Sequence, residues 1–184
     1  MTELPSAQFF RRIAVMSGFL ATALKRSAFT WVIAAGLLST VAGARADEGK
    51  DIALPSQAPV YGLWLSEKHD GVFRIEPCGK TICGTLIGLS YGPNEPMPHA
   101  KDGRPECNLV MLTDFRPMED EPGRWSGKIL DPDAGNLYHA QIWSPQPGVL
   151  KLRGYILVPV FGETQTWTRY TGKIGPECRM PPNP

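Results

Sequence analysis

Three groups of side chains in this sequence are spaced so that they could do chemistry. The first is Trp64, in Gly62-Leu63-Trp64, with Trp167 and Arg169, in Trp167-Thr168-Arg169. A guanidinium stacks on an indole face while its N–H fork bonds carbonyl oxygens. This trio therefore reads as a structural plug holding the first and last strands of a barrel together. The second group is Tyr138, Ala140 and Ile142, which alternate with Leu137, His139, Gln141 and Trp143. A period of two puts each set on one face of a strand. With the first set inward, these residues would line a pocket whose Tyr138 hydroxyl orients the polar end of a small apolar ligand. Tyr155 would serve similarly from the neighbouring strand, or else both are ordinary core tyrosines. Arg153 shares a face with Lys151 and Tyr155, so it is a partner for a ligand carboxylate if that face is interior and part of a solvated surface if it is not.

The third group is the four cysteines, Cys78, Cys83, Cys107 and Cys178. An even count in an oxidising compartment favours disulfides, and four cysteines allow three pairings. The segments 72–76 and 81–87 are strand-like and flank the turn Pro77-Cys78-Gly79-Lys80, which sets Cys78 opposite Cys83 across a hairpin. Cys107 then pairs with Cys178, tying a long central loop to the C-terminal tail. Zinc is the competing use of such thiols, but no second close Cys or His pair completes a site.

Reactive constellations are missing from the pattern. His69, His99 and His139 are scattered, and there is neither a Gly-x-Ser-x-Gly elbow nor a His-Glu-x-x-His helix. Paired cysteines are not nucleophiles. Asp131-Pro132-Asp133-Ala134-Gly135-Asn136 offers oxygens suited to calcium, yet it lacks the further acid of such a loop, and its residues are those a hairpin turn requires. Asp131 and Glu163 are acids that nothing in the sequence selects as a pair. No catalytic residue, metal or cofactor is expected.

These residues need strands to position them. Candidate strands fall near 60–66, 71–77, 81–89, 109–115, 124–131, 136–144, 148–156 and 163–170, separated by turn signals such as His69-Asp70-Gly71 and Gln146-Pro147-Gly148. Eight strands in sequential hairpins suffice to close a barrel and remove its edges. The fold class expected is all-β, an eight-stranded antiparallel up-and-down barrel. Ser90 to Asn108 is long, Pro- and Gly-rich, and could lie across one mouth.

The N-terminal region reads as export machinery. Lys25 and Arg26 precede the apolar run 28–38, and Ala44-Arg45-Ala46 supplies a small-x-small cleavage site. Residues 1–46 are thus assigned as a signal peptide cleaved near Ala46, with an uncleaved anchor as the alternative and Met1 or Met16 as initiator. The paired Arg11-Arg12 lacks the flanking residues of a twin-arginine signal. Residues 47–58 read as a flexible lead, 59–171 as the barrel domain and 172–184 as an irregular Pro-rich tail. Without residues 1–46 the chain keeps 14 Lys and Arg against 17 Asp and Glu, a net −3. That balance leaves no electrostatic footprint for nucleic acid.

Several segments together carry a family resemblance: Gly62-Leu63-Trp64, Pro77-Cys78-Gly79 with Leu86, the run 129–138, the segment Leu150-Lys151-Leu152-Arg153-Gly154-Tyr155, and 164–169. In this order they resemble the DUF2147 family of exported bacterial proteins. The resemblance implies a lipocalin-like barrel, of calycin architecture, able to hold a small apolar ligand. It is weakest in the central loop, where Gly103-Arg104-Pro105-Glu106-Cys107-Asn108 stands in place of an Asn-Pro segment. The expected function is a periplasmic or secreted binding protein for a small, largely apolar molecule, which meets the membrane only through export or envelope association. The alternative is a non-enzymatic cell-envelope protein with a side-chain-filled barrel, acting through its loops on an unknown protein partner.

Overall fold

The computed structural model describes residues 54–182. The expected signal peptide, with either initiator, lies outside the described residues. Eight strands follow one another in chain order: β1 Gly62–Leu65, β2 Gly71–Cys78, β3 Thr81–Leu89, β4 Leu109–Pro117, β5 Arg124–Leu130, β6 Leu137–Gln146, β7 Val149–Tyr155 and β8 Glu163–Arg169. Each pairs antiparallel with its neighbours, and β8 returns to β1 through Trp64↔Arg169 and Leu65↔Thr168. The sheet is a closed barrel.

The alternation of the sequence explains which side chains go in. On β2, Phe73 and Ile75 are buried while Arg74 and Glu76 face water; on β6, Tyr138, Ala140 and Ile142 are buried while Leu137 and His139 are exposed, Gln141 being buried on the other face. Register shifts at Val72/Phe73, around Gly84 and between Thr113 and Arg116 bend the sheet where it must curve. Gly84 makes one of these bends possible, since a Cβ there would lie 2.6 Å from Leu112.

An eight-stranded barrel is just wide enough to be filled by its own side chains. Here it is filled. Trp64, Phe115, Ile75, Ile82, Leu112, Ile142, Leu150, Leu152 and Trp167 are all buried to within 2%. Phe73 stacks on Trp167 with ring centroids 4.4 Å apart.

A second, smaller cluster sits outside the barrel wall, where Leu65, Val72 and Ile87 are covered by Tyr170 and Met180. The tail has neither strand nor α-helix among its described residues, yet it is pinned. Its Pro176–Cys178 stretch forms a 3₁₀ turn, Met180 N–H donates to the Leu89 carbonyl at 2.9 Å, and Arg179 pairs in parallel with Leu89. The reason is the apolar outer face of β1–β3, which needs cover. The lead is likewise less free than expected at its end, with Leu54 and Ala58 packed against the core. Both disulfides are formed as expected, Cys78–Cys83 and Cys107–Cys178, with Cα separations of 5.7 and 5.6 Å.

Candidate ligand-binding mouth

The barrel has two unlike ends. At one, the chain enters and leaves, and the seam residues meet there. Arg169 lies over the Trp64 ring at 3.8 Å and donates to the carbonyls of Tyr61 at 2.6 Å and Pro59 at 3.3 Å. Trp64 Nε1 donates to the Val60 carbonyl at 2.8 Å. Gly62 is required here: its φ is 123°, and a Cβ would collide with the Arg169 guanidinium. Burial holds the Arg169 pKa below its ordinary value. Trp167, one inward position away, donates its Nε1–H to Gln165 Oε1 at 2.6 Å.

At the other end, the loop between β3 and β4 folds over the opening. It is anchored on three sides. Cys107 is bonded to Cys178, the Tyr91 hydroxyl donates to the Glu177 carbonyl at 2.9 Å, and Lys101 N–H donates to the Pro132 carbonyl at 2.8 Å. Beneath it lies a cavity of about 70 Å3. Phe73, Leu86, Leu89 and Met111 form its apolar wall, with Asp70, Ser90, Pro98, Glu106 and Pro132 at the rim. Such a space has room for roughly five waters, or for a fragment of a few heavy atoms.

Glu106 is the unusual group at this mouth. It is only 7% exposed, its main chain is engaged with Pro98 and Leu109, and its carboxyl has no hydrogen-bond donor among the described residues. Burial first, and then the charge of Asp133, push its pKa up to about 7, against an opposing pull from His99. Asp133 is itself raised, by burial and by Asp131. The Asp131 carboxylate caps its hairpin, accepting from the N–H groups of Asp133 and Ala134 at 3.1 and 3.0 Å. This is the turn role anticipated for the segment, since those acceptors hold the hairpin that closes one side of the mouth.

The structure separates the residues singled out on β6 and β7. Tyr138, Ala140 and Ile142 do face inward, but Ala140 and Ile142 are completely buried, and none of the three lines the cavity. Arg153 and Tyr155 are not interior. They lie on the outer face: Arg153 caps the 3₁₀ turn Pro159–Phe161 by donating to the Pro159 carbonyl at 2.7 Å and bonds Thr164 Oγ1 at 2.6 Å, and Tyr155 stacks on His139 at 5.5 Å. The interior reading of that face is corrected by its partner set, because Leu150 and Leu152 take the inside positions of β7. Glu106 and Met111 were not anticipated. The sequence signal that could have found Glu106 is an acid directly before a disulfide cysteine in a Pro-rich loop, where the bridge leaves the side chain little room to turn to water.

A second depression, at the seam end, encloses about 400 Å3 between Glu121, Arg124, Trp143 and neighbouring prolines. Its polar groups are already matched. Arg124 pairs with Glu121 at 2.9 Å and lies 4.2 Å over the Trp143 ring.

The model of one bacterial family, described as an uncharacterized protein conserved in bacteria (DUF2147), matches residues 62–169, which span all eight strands. The chain belongs to the DUF2147 family. The match begins at the seam glycine and ends at Arg169, so the barrel is the DUF2147 unit and the tail strapped to β3 falls outside it. A solved structure, described as protein HP1028 from the human pathogen Helicobacter pylori and as belonging to the lipocalin family, is similar to this DUF2147 barrel with a TM-score of 0.50 at 15% identity. The similarity covers 62% of this chain and 85% of that one. At that identity the likeness speaks for the fold, which is lipocalin-like. Comparison with curated proteins found no match.

Proposed function

We propose that this protein is an exported, non-enzymatic binding protein that takes a small, largely apolar ligand into the mouth of its barrel, beneath the Ser90–Asn108 loop. The observation that carries the reading is the cavity itself: an apolar wall of Phe73, Leu86, Leu89 and Met111 faced by the side chain of the buried residue Glu106. Ala140 and Ile142 are completely buried and do not line this cavity, so they serve as core rather than as pocket lining. Apolar area supplies affinity at roughly 25 cal/mol per Å2, and the few polar groups at the rim fix orientation. The two disulfides suit an oxidising compartment outside the cytoplasm.

The test is saturation-transfer NMR with n-butanol, a probe of the cavity's size. Saturable transfer that disappears in Leu89→Phe, with the fold of that variant intact, is the expected outcome. Transfer that never saturates, or that Leu89→Phe leaves unchanged, would refute the reading.

The second reading, a filled barrel acting on a protein partner through its loops, is favoured by one observation. The β7–β8 connection presents Leu157 and Val160 at 66% and 74% exposure, beside Val158 and Phe161. Arg153 satisfies the carbonyls of this turn, so the apolar side chains are held outward on a fixed backbone.

A further inference from the structure

The mouth also carries a charge pattern around its cavity. The acid whose charge acts on Glu106 is Asp133 from the β5–β6 hairpin; Asp70, on the β1–β2 turn, lines the same cavity and accepts from Ser66 Oγ. His99, in the same loop, is the opposing group, and its Nδ1 lies 2.8 Å from the Met97 carbonyl. The strong cations of the loop are committed elsewhere. Lys101 Nζ donates to the Ala134 carbonyl at 3.0 Å, and Arg104 pairs with Asp102 at 2.7 Å. The Glu106 carboxyl, with no donor among the described residues, thus lies beside the further negative charge of Asp133 at the edge of an apolar cavity. An anion entering there meets repulsion, a neutral group finds an acceptor, and a cation supplies both the missing donors and the missing charge.

We propose that the mouth selects its ligand by a primary or secondary ammonium on a short apolar chain, with the N–H groups donated to the Glu106 carboxylate and the chain laid on Phe73, Leu86, Leu89 and Met111. The inference rests on the reading of the mouth as the ligand site. Burial and Asp133 disfavour ionised Glu106, and a bound ammonium relieves both effects. Binding of such a ligand therefore weakens as pH falls below about 7, where Glu106 must give up a proton to receive it.

The experiment compares n-butylammonium, n-butanol and butyrate against the mature protein with its disulfides intact, by NMR titration above and below neutrality. Above neutrality, butylammonium binds about tenfold or more tightly than butanol, as a charge-assisted bond to a desolvated carboxylate requires. Butyrate binds more weakly than either. Below neutrality the advantage of butylammonium shrinks while butanol is unaffected, and Glu106→Gln brings butylammonium to the level of butanol. Equal binding of butylammonium and butanol, or preference for butyrate, overturns the ammonium proposal and leaves the mouth as a ligand site. If none of the three binds saturably, the site and the proposal fail together. The wild-type comparison and its pH arm decide the matter even if Glu106→Gln does not fold.

Discussion

Replacing Glu106 by glutamine should flatten one component of the protein's stability against pH. The carboxyl titrates near 7 in the folded chain against an ordinary value of 4.5. Between those values the native state holds a proton that the unfolded chain releases, so this group's favourable contribution is complete below about 4.5 and is lost as pH rises through about 7. At about 1.4 kcal/mol for each unit of difference, the limit for a fully desolvated group is about 3 kcal/mol; water at the mouth screens this to about 2 kcal/mol. Asp133, raised in the same direction, remains in both proteins, so the difference between wild type and Glu106→Gln isolates Glu106. The assay is urea unfolding of both proteins, disulfides intact, from about pH 5 to pH 8. Wild type should lose about 2 kcal/mol relative to Glu106→Gln across that interval, or roughly 6–10 °C in melting temperature for a domain of this size. Parallel curves would refute the claim that burial and Asp133 hold the Glu106 carboxyl above its ordinary value.

Two further perturbations probe what holds the mouth and the seam. Arg169→Ala removes the stack on Trp64 and the bonds to Tyr61 and Pro59, and should lower stability by about 2 kcal/mol; an unchanged denaturation midpoint would contradict its role at the seam. Replacing Cys107 and Cys178 together by serine opens a ring with a sequence separation of 71 and should cost about 4 kcal/mol. The same variant should speed amide hydrogen exchange across residues 98–108 more than in β6 and β7; uniform exchange would mean that the bridge does not hold the loop over the mouth.

The barrel was readable because its information is periodic and local. Alternation sets the inward face of β2 and β6, turn residues end each strand, and the spacing of Cys78 and Cys83 across a tight turn leaves little choice of partner. The seam was readable because a closing barrel must bring its first and last strands together, which places Trp64 beside Arg169. The site was less readable for two physical reasons. Tyr155 is buried on the outer face through its stack on His139, so burial and inward direction part company there. Glu106 lies in a loop, where no period reports which side chains turn inward; its burial follows from the long-range bridge at Cys107 and the anchoring of Lys101 and Tyr91. Cavity volume is further from the sequence still, being the small residue left after large aromatic side chains pack.

The central claim, that ligand enters the mouth rather than the depth of the barrel, is tested most directly by methyl-resolved NMR of the mature protein during titration with n-butanol. The account predicts saturable shifts at the methyl groups of Leu86, Leu89 and Met111, with Leu150, Leu152 and Ile142 unmoved. Shifts centred on Leu150, Leu152 and Ile142, or confined to Leu157 and Val160 on the exposed turn, would contradict it.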